Sequence, residues 1–259
     1  MLVDSHVHLN SSEFTADVQQ VLMRARAVGV GRFLCPGYDL ASSRAAVALA
    51  LREPDVVAAV GVHPHDASTY EPSVETELET FLASKAAGAV GETGLDYHYD
   101  HSPRDTQRQA LSRHLQLARR HGLPVVVHNR ESDADMARLL AAEAGGLRLV
   151  LHAFGGSAEL LALGKQQGFF FGIGGFLTFK NHPLAARILE LPRQSLLLET
   201  DSPYLSPHPR RGQRNEPAHL EIIARRLGEL LGLGLDEVAA LTSGNFARFL
   251  DGPAAGPSS

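Results

Sequence analysis

Eight short apolar runs, each bounded by Gly, Pro or polar residues, recur along the chain. Each run is too short for a buried helix and too continuous for a strand with one wet face. The pattern therefore predicts eight buried parallel strands. They are residues 2–9, 32–36, 56–62, 89–95, 124–128, 148–154, 169–173 and 195–200.

Stretches with apolar residues at helical spacing lie between these runs, for example 17–28, 106–121 and 133–143. Gly29 and Gly122 follow two of them, as is common at the C-terminal end of a helix. Eight strand–helix units match a closed barrel better than a doubly wound sheet, and no GxGxxG motif follows the first strand. The sequence predicts an α/β fold, a (β/α)8 TIM barrel built as a single domain.

The C-terminal part of the chain adds two predicted helices and a tail. Residues 217–231 and 235–250 have helical patterns, and we expect them to complete the outer ring and cover one end of the barrel. Residues 252–259 consist of Gly, Pro, Ala and Ser, a composition typical of a flexible tail. We therefore expect the barrel domain to span residues 1–251, with 252–259 outside it.

Strand after strand ends on a His, Glu or Asp. His6 and His8 lie two positions apart at the end of the first run, so a period of two directs both imidazoles to the same side. Glu92 ends the fourth run, where a buried carboxylate without a partner would be costly. Because barrel strands end on a common face, we expect these side chains to converge there at a metal site.

Three more residues extend this set, since His128 ends the fifth run, His152 the sixth, and Asp201 follows the eighth. Four imidazoles and two carboxylates without a thiolate favour Zn, Mn, Ni or Co over Mg alone. With one bridging carboxylate, six ligands suit two divalent metal ions about 3.5–4 Å apart, which share a water or hydroxide as nucleophile. Such a centre is suited to hydrolysis at phosphoryl or carbonyl groups.

Further polar residues are candidates for substrate binding. His63 and His65 end the third run and are interpreted as facing a substrate phosphate, with a loop-stabilising role at His-Pro as the alternative; His63 is preferred. Glu199 lies on the same side of its strand as Asp201, either to orient a metal ligand or to make a buried contact. Arg210, Arg211 and Arg214 form a local basic loop, and guanidinium groups suit phosphate recognition. For Arg210 and Arg211, a role as solvated surface charges is an equal alternative.

Aromatic residues near these loops offer weaker indications. Tyr97 and Tyr99 follow the fourth run, and both, like Phe176 and Phe179, are candidates for stacking on a nucleobase. The remaining histidines are expected mostly at the surface and are not assigned to the metals. They are His98, His101, His114, His121, His182, His208 and His219.

Charge and cysteine content narrow the possible partners. The formal net charge of −5 argues against a broad basic face that grips long duplex DNA, so a nucleic-acid substrate is expected to be held locally. The single cysteine, Cys35, excludes an intramolecular disulfide and a thiolate cluster, and fits a reducing compartment. Neither a signal peptide nor a membrane span is recognised, so we expect a cytoplasmic protein with no membrane contact and no obligate protein partner.

Several motifs resemble those of the TatD family of metal-dependent deoxyribonucleases, over nearly the whole chain. They are Asp4-Ser5-His6-Val7-His8, Gly61-Val62-His63-Pro64-His65, Gly91-Glu92-Thr93-Gly94-Leu95-Asp96, Val127-His128, Leu151-His152-Ala153-Phe154, Leu198-Glu199-Thr200-Asp201-Ser202-Pro203, Arg214-Asn215-Glu216-Pro217 and Asn245. The resemblance implies two metal ions with Glu92 as the bridge between them. One ion would be held by His6, His8, Glu92 and Asp201, and the other by Glu92, His128 and His152.

The resemblance implies a deoxyribonuclease of the 3′–5′ exonuclease type, acting on phosphodiester bonds of DNA or short oligonucleotides. Asp201 is then the best candidate for the general base, Glu92 is the second catalytic residue, and the family context favours Arg214 for phosphate binding. One alternative keeps the metals but makes the chain an amidase, lactonase or deacylase acting on a small carbonyl substrate. A second alternative is a binding or scaffold protein without turnover.

Overall fold

The eight predicted strands form one parallel sheet that closes into a barrel. The computed structural model describes residues 1–252. The strands, which follow one another around the sheet in chain order, are β1 Leu2–Asp4, β2 Val30–Pro36, β3 Val56–Val60, β4 Ala89–Asp96, β5 Val125–Arg130, β6 Leu149–Leu151, β7 Phe170–Ile173 and β8 Leu196–Leu198. The two ends of the sheet meet where the Ser5 amide donates to the Leu198 carbonyl at 2.8 Å. The (β/α)8 barrel predicted from the sequence is confirmed.

Helices alternate with the strands and form the outer ring. They are α1 Val18–Ala27, α2 Leu40–Ala50, α3 Pro72–Ala83, α4 Arg104–His121, α5 Asp133–Glu143, α6 Ala158–Gln167, α7 Pro183–Arg187, α8 Leu220–Leu231 and α9 Leu235–Asp251. Helix α4 ends at Gly122, where a φ of 65° permits the left-handed turn that the sequence pattern indicates. The helix predicted at 217–231 starts later, because Pro217–His219 forms a separate 3-10 turn before α8.

Strand β1 is shorter than its apolar run. The run was predicted as strand over 2–9, but regular pairing with β2 stops at Asp4. Beyond that point the backbone bonds to the segment that follows β8: the His8 amide donates to the Ser202 carbonyl at 2.8 Å, and Asp201 donates to the carbonyl of His6 at 2.9 Å. His6 and His8 therefore lie on an extended segment after the strand, held by the closure of the barrel.

The centre of the barrel is filled by one apolar residue from each strand. These residues are Val3, Leu34, Ala59, Ala89, Val126, Val150, Phe170 and Leu197. Phe246, Phe249 and Leu250 of α9 pack against this layer, and the Asn245 side chain donates to the carbonyl of Leu196 at the start of β8. Helix α9 thus closes the end of the barrel where the strands begin, and the face where they finish stays open.

Three remaining features of the chain concern its cysteine, its helices and its C-terminal tail. Cys35 is buried in the core. Within residues 1–252, no helix combines the length and the apolar character needed to cross a membrane. The tail assigned by composition to 252–259 falls, apart from Gly252, outside the described residues.

Candidate metal centre

The six residues predicted as metal ligands converge at the open face of the barrel, with Glu92 in the middle. Its Oε2 lies 3.3 Å from Nε2 of His6 and 3.6 Å from Nε2 of His8. Its Oε1 lies 3.0 Å from Nδ1 of His128 and 3.0 Å from Nε2 of His152. The two oxygens of one carboxylate therefore face two different groups of imidazoles.

Two more side chains complete these groups. Asp201 Oδ1 lies 3.4 Å from Nε2 of His8 and 3.6 Å from Nε2 of His6, next to the first group, and ligand atoms of His6, His152 and Asp201 also lie within 4.8 Å of one another. His63 Nε2 lies 3.6 Å from Glu92 Oε1, and His63, Glu92 and His128 have ligand atoms within 4.8 Å of one another. His63, interpreted from the sequence as a substrate contact, is thus also placed where it can bind a metal.

An irregularity in β4 turns Glu92 into the barrel. Pairing with β5 runs from Val90 opposite Val125 to Thr93 opposite Val127, so β4 has one extra residue between these points. Gly91 sits in this irregularity with a φ of 131°, and a Cβ there would lie 2.6 Å from the carbonyl oxygen of Val126. Glycine is required at this position both for the backbone conformation and for the close approach of β5.

Buried carboxylates stand behind two of the imidazoles. His152 Nδ1 lies 3.6 Å from Glu199 Oε1, and His128 Nε2 lies 3.4 Å from Asp96 Oδ2. Carboxylates in such positions orient a ligating imidazole and fix which nitrogen carries the proton. Asp96 was assigned no role from the sequence, although it ends β4 as other candidate site residues end their strands. Its Oδ2 also accepts a hydrogen bond from Nε2 of His65 at 2.9 Å.

Asp4 joins the two backbone segments that carry His6 and Asp201. Its carboxyl accepts hydrogen bonds from the Thr200 amide at 2.9 Å and the Thr200 hydroxyl at 2.6 Å, and burial raises the pKa of Asp4 to about 8. The position belongs to a recognised motif, but the sequence assigned no function to it. Its contacts fix the relative position of the segments after β1 and β8.

The electrostatics of the cluster favour ionised carboxylates. Burial opposes ionisation of Glu92, but the imidazoles of His152, His6 and His63 outweigh it and hold the pKa of Glu92 well below its usual range. Burial also opposes ionisation of Asp201, whose pKa is nevertheless lowered by His8 and by the neighbouring imidazoles. For His152, burial lowers the pKa, but the carboxylates of Glu92 and Glu199 outweigh burial and raise that pKa well above its usual value.

The donor set fits divalent cations. Imidazole nitrogens and carboxylate oxygens face one another in a buried volume, and no Lys or Arg of residues 1–252 pairs with Glu92 or Asp201 there. Electron-pair donors crowded in this way need protons or cations between them. The set contains no sulfur ligand and is the kind that Zn, Mn, Ni or Co accepts.

A cavity of about 910 Å³ opens above this cluster. His63 and His65 line it, as expected for residues near the substrate, and Tyr99 and Phe176 are also part of its wall. Tyr97 and Phe179 are not among the lining residues. The cavity wall also contains residues that the sequence did not single out, namely Tyr38, Asp66, Arg130 and Tyr204.

Arg214, predicted to bind phosphate, is not among the residues that line the cavity, and its guanidinium has other partners. Its guanidinium donates to the Asp17 carboxylate at 2.9 and 2.7 Å and to Glu216 at 3.0 Å. It also donates to the carbonyl of Glu13 at 2.7 Å and stacks over Phe14. Its donors are thus used to attach the loop after β8 to the segment that precedes and begins α1.

His114 is an exception to the expected surface position of the remaining histidines. It is buried on the inner face of α4. Its Nε2 accepts a hydrogen bond from the Val62 amide at 3.1 Å, and its Nδ1–H donates to the Ala110 carbonyl at 2.7 Å. Burial lowers the pKa of His114 to about 4. The residue is a neutral structural histidine, and its helical position alone did not reveal the face on which it lies.

Comparison with known proteins places the chain in a family. The profile of the family described as "TatD related DNase" matches residues 3–251. YabD of Bacillus subtilis, named an uncharacterized metal-dependent hydrolase, is 35% identical over 250 residues, which cover 96% of this chain and 98% of that protein. The protein of Dickeya dadantii named 3′-5′ ssDNA/RNA exonuclease TatD is 36% identical over 253 residues, covering 92% of this chain and 96% of that protein.

A solved structure gives the same result. The TatD homologue YJJV of Escherichia coli superimposes with a TM-score of 0.90 and 30% identity, covering 97% of this chain and 98% of that one. A TatD family hydrolase of Entamoeba histolytica, at 21% identity and a TM-score of 0.88, shares the fold. The chain therefore belongs to the family of TatD-related DNases and is a metal-dependent hydrolase.

Proposed function

We propose that this hydrolase removes nucleotides from the 3′ end of single-stranded DNA or short oligonucleotides with the help of two divalent cations. The observation that carries the proposal is the division of the Glu92 carboxylate, with Oε2 facing His6 and His8 and Oε1 facing His128 and His152. A carboxylate with one oxygen in each of two ligand groups is suited to bridge two metal ions. Bound divalent cations supply Lewis-acid stabilisation of the charge that develops on phosphoryl oxygens.

Each protein residue has a defined task in this proposal. His6, His8 and Asp201 hold one cation, and His128 and His152 hold the other, with Glu92 shared. His63 is placed to complete the second group or to contact the substrate phosphate. Glu199 and Asp96 lie behind the imidazoles of His152 and His128, where their carboxylates orient the two rings.

Asp201 is proposed as the general base. Its Oδ1 faces the first imidazole group, its pKa is lowered, and its side chain lies on the wall of the cavity. An ionised carboxylate at the cavity can accept a proton from the attacking water at its other oxygen, Oδ2, and pass it to the leaving oxygen after the bond is cleaved. The imidazoles around it keep that carboxylate ionised at neutral pH.

Two further observations support an oligonucleotide substrate. The cavity of about 910 Å³ is in the range that accommodates a nucleotide-sized ligand. Relatives from Dickeya dadantii, Edwardsiella piscicida and Salmonella typhimurium are named 3′-5′ ssDNA/RNA exonucleases. With a net charge of −5, the chain is expected to hold the strand only near the cleaved end.

The test uses purified protein supplied separately with Zn, Mn, Ni, Co or Mg and a single-stranded DNA labelled at its 5′ end. We expect a ladder of products shortened from the 3′ end. The cleavage rate of the Asp201→Asn variant is expected to be at least about 100-fold lower than that of the wild type. Asp236→Asn, an exposed carboxylate at the start of α9, is the matched control and is expected to keep the wild-type rate.

A different result would overturn the phosphodiester proposal. If no metal supports cleavage of the DNA, while an ester, amide or lactone is hydrolysed by the wild type and not by Asp201→Asn, the same centre acts on carbonyl substrates. Products shortened from the 5′ end or cut internally would keep the phosphodiesterase and reject the 3′ polarity.

A further inference from the structure

Arg130 lies at the end of β5, on the wall of the cavity and outside the metal cluster. It follows His128 by two residues, so both side chains leave the strand on the same side, about 6.6 Å apart along it. Val126, two residues earlier again, belongs to the layer that fills the barrel, which identifies this side as the inner one. The strand therefore carries the Arg130 side chain from the barrel interior to the cavity rim.

The guanidinium of Arg130 has no hydrogen-bond partner within residues 1–252, unlike most arginines of the chain. Arg32, Arg210 and Arg211 also lack one in this part of the chain, but none of the three lines the cavity. Among the residues of the described range 1–252 that line the cavity, Arg130 is the one Lys or Arg. It is thus the permanent cation that faces a ligand bound there.

An aromatic ring holds this guanidinium in place. Its Cζ lies 4.8 Å from the ring centroid of Tyr99, and the Tyr99 ring stacks on His101 with centroids 5.5 Å apart. The Tyr99 amide donates to Asp96 Oδ1 at 2.9 Å, which fixes the backbone beneath the ring. Stacking uses the face of a guanidinium, so the N–H donors in its plane remain available for a ligand.

The acidic residues beside Arg130 are already bonded to other partners. Glu131 lies 2.6 Å from His98 Nδ1, and Asp133 accepts a hydrogen bond from the Asn129 side chain at 2.6 Å. Neither carboxylate forms an ion pair with Arg130 in the described chain, and both repel an anion from the neighbouring part of the rim. An anionic group that enters this side of the cavity is therefore directed to Arg130.

We propose that Arg130 binds a substrate phosphate next to the one that is cleaved, and that Tyr99 is a positioning residue that holds its guanidinium. The inference rests on the proposed function, in which the scissile phosphate lies at Glu92 and Asp201. Arg130 is separated from that cluster along β5 and makes no ion pair with its carboxylates in the described chain, so it is placed for a second phosphate. It makes the enzyme prefer substrates that carry one.

The test compares three dinucleotides that share one phosphodiester bond: one without a terminal phosphate, one with a 5′-phosphate and one with a 3′-phosphate. For the wild type, a terminal phosphate at one end is expected to lower KM by about tenfold or more. Arg130→Gln is expected to lose this decrease in KM. Arg130→Lys is expected to keep part of it, because an ammonium group retains the positive charge but not the bidentate hydrogen bonding of the guanidinium. Tyr99→Ala is expected to make the decrease smaller and Tyr99→Phe, which keeps the ring, to preserve it.

Arg211→Gln is the matched control, since Arg211 stacks on Phe179 away from the cavity lining. Binding of dinucleotides with a non-cleavable linkage, with and without the terminal phosphate, to metal-loaded protein, followed by fluorescence anisotropy, gives a readout that does not depend on turnover. We expect the phosphorylated ligand to bind more tightly to the wild type and to Arg211→Gln, but not to Arg130→Gln.

Two outcomes would overturn this role. One is a wild-type enzyme that cleaves all three dinucleotides with the same KM, and the other is an Arg130→Gln variant that keeps the full decrease in KM. Both leave the phosphodiesterase itself intact. Absence of cleavage of dinucleotides and longer single strands alike, with every metal, would instead reject the proposed function.

Discussion

The Glu199 carboxylate occupies space that exists because residue 172 has no side chain. A Cβ on Gly172 would lie 2.1 Å from Glu199 Oε2 and 2.8 Å from its Oε1. Glu199 is fully buried, accepts a hydrogen bond from the Ala153 amide and stands behind His152. A glycine on β7 thereby determines the position of a carboxylate on the segment after β8 and, through it, the orientation of a metal-site imidazole.

Gly172→Ala is therefore expected to weaken metal binding although it removes no ligand. The added methyl group displaces a carboxylate that cannot move into solvent, so the imidazole of His152 loses its orienting partner, and the metal dissociation constant rises about tenfold or more. Competition with a chromophoric chelator measures this constant. Gly145→Ala is the control, because its nearest neighbour to the added Cβ is 3.9 Å away; equal affinity in the two variants would contradict this role of Glu199.

Single residues differ in how far sequence alone could assign them. His6, His128 and Asp201 could be singled out because each ends or follows an apolar run, and Glu92 because it is a carboxylate inside one; the ends of barrel strands meet. The contacts of Arg214 could not be predicted, because its partner Asp17 lies 197 positions away, just before α1, and nothing local reveals it. Arg130 was missed for the opposite reason: its significance comes from the hydrogen-bond partner that it lacks and from the ring of Tyr99 beneath it.

Between secondary-structure elements, a charged network joins the loop after β8 to α1. Arg214 and Arg24 both bond to Asp17 and Glu216, with Arg24 Nε 2.7 Å from Glu216. Because these side chains are partly exposed, each ion pair alone contributes little to stability. A network of pairs with bidentate geometry contributes more. The network holds the loop that follows the Asp201 segment against the outer ring.

Arg214→Ala is expected to affect stability and leave substrate binding unchanged. Loss of the shared guanidinium releases Asp17 and Glu216, and the melting temperature falls by about 1–4 °C. KM for an oligonucleotide stays at the wild-type value, because the side chain does not line the cavity. Arg210→Ala, in the same loop, is the control for both measurements. A selective rise of KM in Arg214→Ala would restore the phosphate-binding role inferred from the sequence.

The number and order of elements were predictable from the sequence because each buried strand is continuous in apolar residues and each helix is periodic. Boundaries were predictable where a local signal exists, as at Gly122 after α4, and α5 has the predicted bounds 133–143. The end of β1 was not, because the apolar residues Val7 and Leu9 continue the run, while the backbone at Val7 and His8 pairs with Ser202 after β8. That change of partner depends on barrel closure, which a local pattern does not contain.

Across the whole molecule, stability and function make opposite demands at the two ends of the barrel. At the closed end, α9 packs Phe246 and Phe249 against the apolar layer. At the open end, buried imidazoles and carboxylates face one another with their electron pairs, and closure between β1 and β8 brings His6 and Asp201 together. The open end is therefore the part of the fold that gains most from bound cations.

Metal removal is accordingly expected to destabilise the entire barrel and not only to abolish activity. Cations that bind only the folded state raise the free energy of unfolding. The increase grows with the logarithm of the ratio of free cation concentration to dissociation constant, and it reaches about 4 kcal/mol when this ratio is about a thousand. For a chain of this length that corresponds to a melting temperature higher by on the order of 10 °C than in chelator-treated protein. Because ligands from β4, β5, β6 and both sides of the barrel closure share these cations, the shift should appear as one cooperative transition.

Glu92→Gln distinguishes this coupling from a general salt effect. The variant keeps the shape of the central side chain but removes the charge that both ligand groups share, so added metal should raise its melting temperature by less than half the wild-type shift. Glu159→Gln, an exposed carboxylate on α6, should respond like the wild type. Calorimetry of the three proteins, chelated and resupplied with each metal, measures the difference. Equal shifts in Glu92→Gln and wild type would mean that the cations bind elsewhere, since no other carboxylate among residues 1–252 has one oxygen at each group of imidazoles.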